Sequence, residues 1–306
     1  MIAEFTLKRS NIHAECVEDG TVVLTGVKDF DLSKTFDCGQ CFRFSEIADP
    51  EYDAKVRGIA FGKQIEIAQR GETLFLFGTD IDEYRSLWRH FLSLDVNYPK
   101  LCDTILKENK EYGAVALAYA PSRGIRILRQ DPWETLCTFI ISQNNNIPRI
   151  KGIVDRLCAT LGKAFVGLDG EICHAFPTPE AVIDGGIDHL KKIGTGFRAK
   201  YIMDAAERVA SHRIDFDYIV DCADTEECVR HLCEIYGVGV KVASCVLLFA
   251  FEKYDAFPQD VWIKRVMDER FGEGFDPSLL GKHRGLIQQW LYFYERFLGG
   301  ESSGKN

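Results

Sequence analysis

The chain has 306 residues, of which 46% are hydrophobic, and its formal net charge at pH 7 is -9. This acidic balance excludes a broadly basic coat for sequence-independent binding of nucleic acid, because such binding draws its affinity from many Lys and Arg contacts to phosphates. No apolar run reaches the roughly 18 residues that a membrane span needs, so we expect no membrane partner. The N-terminal residues lack the pattern of a secretory signal peptide, and we therefore expect a cytosolic protein.

Eleven cysteines raise the question of a metal site or a cluster. Cys38 and Cys41 flank a glycine and a glutamine with no second such pair nearby, so a structural zinc site is not expected. No cysteine follows Cys245, which excludes an iron–sulfur cluster held by a spaced cysteine quartet near the C-terminus. The thiols of a cytosolic protein are expected to stay reduced.

Between Thr21 and Phe77, short β-rich runs are separated by turn residues, and several alternate apolar with polar residues, which predicts one antiparallel sheet. After Gly78 the spacing of apolar residues becomes helical and stays so almost to the end. The predicted fold class is therefore α+β, with an N-terminal antiparallel β-sheet domain followed by a mostly α-helical core. The predicted domains are 1–80 for the sheet, 81–127 together with 250–298 for one helical domain, 128–249 for a second helical domain, and 299–306 for a disordered tail.

Several predicted helices begin at recognisable capping residues. Asp131 precedes Pro132 and can cap a helix, and Glu134 completes the pattern of a capping box. Further helices are predicted from Asn146 to Gly162, from Thr178 onward, and from Phe197 through Ala210.

The segment 232–249 places a Gly-Val-Gly turn between two helical stretches, which is a helix-hairpin-helix pattern. Gly237 and Gly239 allow a tight turn, and the unpaired amides at the start of the next helix would then face outward as a site for an anion such as a DNA phosphate. An ordinary corner between two helices with a glycine cap gives the same local pattern. The motif alone leaves both interpretations open.

Lys241 lies in the first turn of the helix after this hairpin, where the helix dipole disfavours a cation and so favours the neutral, nucleophilic amine. Further along, Asp260 follows Pro258 and can cap another helix. By itself Asp260 is most simply a helix cap. A lysine and an aspartate behind a hairpin together favour a catalytic pair.

These residues resemble the helix-hairpin-helix superfamily of DNA glycosylases with a Gly/Pro-rich loop and a catalytic aspartate, and specifically its 8-oxoguanine branch. The resemblance extends over roughly residues 20–295. Besides the hairpin, it rests on four segments that occur in the order of that branch: Asp37-Cys-Gly-Gln-Cys-Phe-Arg-Phe44, Leu128-Arg-Gln-Asp-Pro-Trp-Glu134, Ser142-Gln-Asn-Asn-Asn-Ile-Pro-Arg-Ile150 and Gly194-Thr-Gly-Phe-Arg-Ala-Lys-Tyr201.

The resemblance implies a role for each matching residue around the damaged base. Lys241 would attack the sugar C1′, and Asp260 would stabilise the developing oxocarbenium charge. The backbone carbonyl of Gly39 would read the N7–H that guanine lacks, and Gln288 would read the Watson–Crick edge of the flipped base. From the residues alone, Gln288 and its neighbour Gln289 are equivalent. The predicted pocket is completed by Pro258 and by Cys245 and Tyr292, which would sandwich the base; the family more often has Phe at the position of Tyr292.

The resemblance also implies contacts with the rest of the duplex. The residues that would fill the vacated stack and hold the orphaned base are Asn144, Arg149, Phe197 and Arg198. Two arginines suit cytosine, whose O2 and N3 accept hydrogen bonds. The residues that would contact DNA near the hairpin are Gly237, Gly239, Val242 and Trp262. Many relatives have a histidine at the position of Trp262, whereas an indole N–H donates one hydrogen bond without a charge.

Backbone carbonyls of Cys233, Ile235 and Val238 match those that hold a metal ion at the hairpin in this family. The predicted chemistry itself needs no cofactor.

The predicted function is a bifunctional DNA glycosylase and AP lyase that excises 8-oxoguanine, preferably opposite cytosine, through a Schiff base at Lys241. One alternative is a monofunctional alkylpurine glycosylase, which would direct water with Asp260 and would not need Lys241. A second alternative is a noncatalytic DNA-binding module built on the hairpin. The predicted partner is double-stranded DNA that contains the lesion, bound by a monomer in the cytoplasm, at the nucleoid of a prokaryote, or in the nucleus of a eukaryote.

Overall fold

The computed structural model describes residues 12–16 and 20–297. The predicted disordered tail, 299–306, lies outside the described residues. The described part has an antiparallel sheet near its N-terminus followed by a long succession of helices. Within the ranges 12–16 and 20–297, no helix is both long enough and apolar enough to cross a membrane.

The six strands of the sheet are β1 (His13–Cys16), β2 (Val22–Thr25), β3 (Phe44–Glu46), β4 (Ala54–Ala60), β5 (Lys63–Arg70) and β6 (Thr73–Phe77). They pair antiparallel in the order β1-β2-β6-β5-β4-β3. Phe61 and Gly62 connect β4 to β5 with positive φ values of 52° and 72°, the conformation that tight hairpins favour. Each β-rich run of the sequence contains a strand. The short helix α1 (Leu32–Asp37) was not predicted, because six residues are too few for a periodic pattern.

The helices after the sheet begin with α2, the helical segment 81–91, whose middle part Tyr84–Trp88 is π-helical. The remaining α-helices are α3 (Tyr98–Glu108), α4 (Gly113–Ser122), α5 (Pro132–Ser142), α6 (Ile147–Leu161), α7 (Pro179–Lys192), α8 (Ala199–Ala210), α9 (Phe216–Asp221), α10 (Thr225–Leu232), α11 (Val240–Ala250), α12 (Val261–Phe271) and α13 (Arg284–Phe297). Short 3-10 helices span Gly196–Arg198 and Pro277–Leu280. A hairpin of β7 (Ala164–Val166) and β8 (Ile172–His174), which was not predicted, follows α6.

Within the described residues, two large apolar clusters hold most of these elements together, and a third, small cluster consists of Cys38, Ile125 and Phe293. Alternate side chains of a strand point to opposite faces, so the sheet buries one face, which includes Leu24 and Ile65, against Trp88 of α2. The helices share a second core, in which Phe139 of α5 stacks on Phe249 of α11 with ring centroids 5.4 Å apart. Helix α2, which the sequence pattern assigned to a helical domain, therefore packs on the sheet.

The capping residues act mostly as predicted. The side chains of Asp131, Asn146 and Thr178 accept hydrogen bonds from the first turns of α5, α6 and α7. The capping-box prediction for Glu134 is wrong, because its carboxylate pairs with the guanidinium of Arg43, the residue before β3. The Glu134 Oε2 and Arg43 Nη1 atoms are 3.6 Å apart. Burial raises the pKa of Glu134 to about 7, and the Arg43 charge opposes this rise.

Candidate active site

A cavity of about 170 Å³ opens between the turn after α1 and the helices α5, α11 and α13. Its volume is comparable to that of a cavity of roughly 150 Å³ that accommodates benzene. The structure gathers in its walls every residue predicted to react with or read the base: Gly39, Lys241, Cys245, Pro258, Asp260, Gln288 and Tyr292. These residues come from four separate parts of the chain, so only the tertiary fold brings them together.

Lys241 lies in the first turn of α11, two residues after the N-cap Gly239. Its Nζ is 5.4 Å from the centroid of the Phe139 ring, within the range of a cation–π contact. Cys245 lies one turn further along α11, on the same helix face as Lys241. Burial raises the pKa of the Cys245 thiol, the Lys241 charge and hydrogen bond oppose the rise, and the Asp260 charge adds to it. The amine, the thiol and the carboxylate therefore lie close enough to influence one another.

Asp260 is the N-cap of α12, and its Oδ1 accepts the Ile263 N–H at 2.8 Å. The helix-cap interpretation is thus correct, but the same residue also lines the cavity. Pro258, two residues earlier, is buried, and its ring fixes the backbone φ at that position. Capping holds the carboxylate in a defined orientation at the cavity, as an electrostatic partner must be held.

The Gly39 backbone closes the cavity opposite α11. Gly39 has φ +79°, a left-handed conformation that disfavours other residues, and a Cβ on it would lie 3.4 Å from the hydroxyl oxygen of Tyr292. The Tyr292 ring in turn packs edge-on against Trp262, with centroids 5.5 Å apart. Trp262 therefore supports the Tyr292 ring, and its predicted phosphate contact stays a prediction.

The two adjacent glutamines of α13 differ in their hydrogen bonds. Gln289 Nε2 donates to the Cys38 carbonyl at 2.8 Å. Gln288 is 5% exposed, and its Oε1 has no hydrogen-bond partner in the part of the chain that the structure describes. A buried acceptor without a partner costs free energy unless a ligand satisfies it. Gln288 is therefore the glutamine with a polar atom available to a base in the cavity.

The hairpin that precedes α11 leaves the helix start open. Gly237 has φ +82°, and a side chain there would collide with the ring of Tyr201. Gly239 has no side chain to cap the first-turn amides of α11, which stay available to an anion. Val242 is 3% exposed, so only its backbone N–H, and not its side chain, can contribute to a phosphate contact.

The metal prediction concerns the turn between α10 and α11. The Ile235 carbonyl accepts the Val238 N–H at 3.0 Å, and its second lone pair could still serve a cation. Together with the carbonyls of Cys233 and Val238 it offers the oxygen ligands that hard cations prefer. A metal site at the hairpin stays a prediction.

The residues predicted to hold the opposite base lie around the loop between α5 and α6. Phe197 is 53% exposed, as a wedge must be. Arg198 lies over the Phe197 ring at 4.4 Å and donates to the carbonyls of Gln143 and Asn144, at 2.7 and 2.9 Å. The Arg198 guanidinium is thus bonded to this loop, and its predicted contact with the orphaned base stays a prediction. Arg149, at the start of α6, is exposed, and its charge together with burial lowers the pKa of nearby Arg198.

Two contributors to this site were not predicted from sequence. Phe139, which contacts the Lys241 amine, belongs to an apolar helix whose pattern indicates only a buried core residue. Gln289 carries no signal that separates it from Gln288. Both roles depend on which elements pack together.

Comparison with known proteins agrees with this geometry. The chain matches the 8-oxoguanine DNA glycosylase N-terminal domain over residues 22–136 and the HhH-GPD superfamily base excision DNA repair protein over residues 137–277. The fold and the site thus define a base excision repair protein of the helix-hairpin-helix class.

Two solved structures and one curated relative make the assignment narrower. The structure of MBOgg1 in complex with a low-affinity DNA ligand is 34% identical, with a TM-score of 0.87 over 95% of this chain and 100% of that chain. The 8-oxoguanine glycosylase/lyase of Clostridium acetobutylicum, in complex with double-stranded DNA containing cytosine opposite 8-oxoguanine, is 32% identical, with a TM-score of 0.84 over 94% of this chain and 98% of that chain. The N-glycosylase/DNA lyase of Saccharomyces cerevisiae is 35% identical over 186 residues, which are 58% of this chain. The match spans 48% of the yeast protein, about half its length.

The chain belongs to the 8-oxoguanine DNA glycosylase branch of the HhH-GPD superfamily. The predicted family, the α+β fold class and the classification as a DNA N-glycosylase and lyase are confirmed at this level.

Proposed function

We propose that this enzyme excises 8-oxoguanine from duplex DNA and then cleaves the strand, through a Schiff base between Lys241 and the sugar. The observation that carries the proposal is that Lys241 and Asp260 line one base-sized cavity together with Gly39 and Gln288. An amine, a carboxylate and two groups able to read a base are the parts that this reaction needs.

In the first step, the neutral Lys241 amine attacks the sugar C1′ and the glycosidic bond breaks, so that its electron pair leaves with the base. The sugar gains positive charge as this bond breaks, and the Asp260 carboxylate stabilises that charge. One proton of the amine passes to the departing base, and the second passes to the ring oxygen O4′ as the C1′–O4′ bond breaks and the sugar opens to the Schiff base. Removal of a C2′ proton then expels the 3′ phosphate by β-elimination.

Recognition of the lesion depends on the cavity walls. The Gly39 carbonyl accepts the N7–H that 8-oxoguanine has and guanine lacks, and Gln288 bonds to the Watson–Crick edge. Cys245 and Tyr292 contact the two faces of the flipped base. The unpartnered Gln288 oxygen and the closeness of the Gly39 backbone to Tyr292 support this arrangement.

Recognition of the opposite strand falls to the loop between α5 and α6. Phe197 fills the gap left by the flipped base, exposed Arg149 bonds to the orphaned cytosine, and Arg198 holds the loop that carries Asn144. The duplex phosphates bind at the start of α11, and a cation at the carbonyls of Cys233, Ile235 and Val238 would strengthen that contact. The enzyme acts as a monomer. It acts in the compartment that holds the genomic DNA, which is the cytoplasm of a prokaryote or the nucleus of a eukaryote.

The test is to trap the covalent intermediate. Sodium borohydride, added during reaction with a duplex that carries 8-oxoguanine opposite cytosine, is expected to reduce the Schiff base and leave a protein–DNA adduct on a denaturing gel. Lys241→Gln is expected to bind the same duplex but to give neither excision nor adduct. The matched control is Lys107→Gln, which changes an exposed lysine of α3 that does not line the cavity.

If Lys241→Gln still forms the borohydride-reduced adduct with DNA, another amine is the nucleophile and the role assigned to Lys241 is wrong. If the wild type excises the base without any adduct, the monofunctional alternative, in which Asp260 directs water, is correct instead. A wild type that binds duplex DNA but excises nothing would support the noncatalytic module.

A further inference from the structure

The turn that carries Gly39 is held from several directions by glutamine side chains. The Gln40 side chain is fully buried, and its Nε2 donates to the carbonyls of Thr35 and Arg126, both at 2.8 Å. Its Oε1 accepts the Leu128 N–H, also at 2.8 Å. The residue after Gly39 is therefore anchored to α1 and to the segment that leads into α5.

Two further glutamines bind the backbone on either side of Gly39. Gln130 Nε2 donates to the Gln40 carbonyl at 2.7 Å, and Gln289 Nε2 donates to the Cys38 carbonyl at 2.8 Å. The peptide before Gly39 is thus attached to α13, and the residue after it is attached to Gln130, in the segment that leads into α5. Gln289 is only 3% exposed, so water does not compete for the hydrogen bond of its side chain.

This arrangement matters because glycine has more backbone freedom than any other residue. The direction of the Gly39 carbonyl follows the rotation of the peptides that flank it, and only hydrogen bonds to those peptides can fix it. Gln288, which lines the cavity and whose buried side-chain oxygen has no partner in the described residues, is adjacent to Gln289 on α13. Helix α13 therefore supplies both Gln288, which is proposed to bond to the base, and the Gln289 hydrogen bond that holds the backbone next to Gly39.

We propose that Gln289 is a positioning residue, which holds the Cys38–Gly39 peptide so that the Gly39 carbonyl and the Gln288 side chain keep the spacing that distinguishes 8-oxoguanine from guanine. This inference rests on the proposed function. It assigns to Gln289 no contact with the base.

The test separates base recognition from chemistry at the sugar. Gln289→Leu keeps the side chain's approximate volume but removes the donor, which leaves the buried Cys38 carbonyl unsatisfied. Excision of 8-oxoguanine opposite cytosine, measured under single-turnover conditions, is expected to fall by about tenfold. Borohydride trapping on a duplex with a preformed abasic site is expected to stay at the wild-type level, because that substrate has no base to read.

The matched control is Gln69→Leu. The Gln69 side chain also bonds to backbone, accepting from Leu32 and donating to Phe30, but it does not line the cavity. It is expected to lose stability while keeping the wild-type ratio of excision to abasic-site trapping. Gln289→Met, which is flexible and also lacks the donor, serves if the leucine variant does not fold.

A purely structural role for Gln289 would lower excision and abasic-site trapping together, in proportion to the folded fraction, and that result would overturn the inference. Unchanged excision in both Gln289 variants would overturn it as well. A wild type that traps on abasic DNA but ignores 8-oxoguanine would instead refute the proposed function, and with it this inference.

Discussion

Replacing Gly39 with alanine tests how the cavity recognises its base. At φ +79° an alanine pays about 1–2 kcal/mol of backbone strain. Its methyl group would lie 3.4 Å from the Tyr292 hydroxyl oxygen, which is an ordinary contact distance, so the fold can accept it. The methyl would nevertheless occupy space beside the carbonyl that is proposed to read the N7–H. For a protein of this size the strain corresponds to a Tm lower by roughly 2–8 °C.

The assay compares two substrates with one variant. Gly39→Ala is expected to slow excision of 8-oxoguanine by tenfold or more, since a shift that breaks one buried hydrogen bond to the base costs about 1–3 kcal/mol. Incision of a duplex with an abasic site is expected to continue near the wild-type rate, because no base enters the cavity. Thermal unfolding measures the strain separately.

The control is Gly71→Ala in the turn between β5 and β6. Gly71 also has positive φ, +56°, but a Cβ there would have no neighbour within 4 Å. Gly71→Ala therefore introduces the same kind of backbone strain but places no methyl group in the cavity. If Gly71→Ala slows excision as much as Gly39→Ala does, the effect comes from general destabilisation and the reasoning about the Gly39 carbonyl fails.

Three further predictions concern charged groups. Asp260→Asn is expected to keep the helix cap, because asparagine caps as well as aspartate, but to slow excision by about a hundredfold or more in single-turnover kinetics; near-normal excision would remove Asp260 from the mechanism. Arg149→Ala is expected to reduce the preference for cytosine over other opposite bases by about 1–3 kcal/mol, measured by competition between duplexes, and an intact preference would make Arg149 a phosphate or surface residue. Burial raises the pKa of Glu134 from 4.5 to about 7, so the folded protein holds a proton that the unfolded chain releases between these values. The free energy of unfolding of the wild type is therefore expected to increase as the pH falls from 7 toward 4.5, and Glu134→Gln should flatten this dependence in denaturant titrations; an unchanged slope would contradict it.

Local features of the fold were predictable because their causes are local. Strands β2 to β6 follow from alternation of apolar and polar residues, whereas β1 lies before the predicted range. The starts of α5, α6 and α7 follow from Asp131, Asn146 and Thr178, whose side chains bond to amides three residues away. The capping-box prediction for Glu134 failed because the interaction that this side chain makes is not local. Its partner, Arg43, is distant in sequence, and no capping pattern can anticipate it.

The same division applies to the active site. The sequence by itself determined the hairpin before Lys241 and the cap at Asp260, since each depends on residues that are close along the chain. It also determined the family, because the motifs of that family occur in its order along the chain. Only the tertiary structure decided that Gln288 is left with an unpartnered oxygen among the described residues while Gln289 binds the Cys38 carbonyl, and that Arg198 bonds to the loop between α5 and α6. Such choices depend on which groups meet across packed elements, because a buried polar group takes the partner that the surrounding fold places within reach.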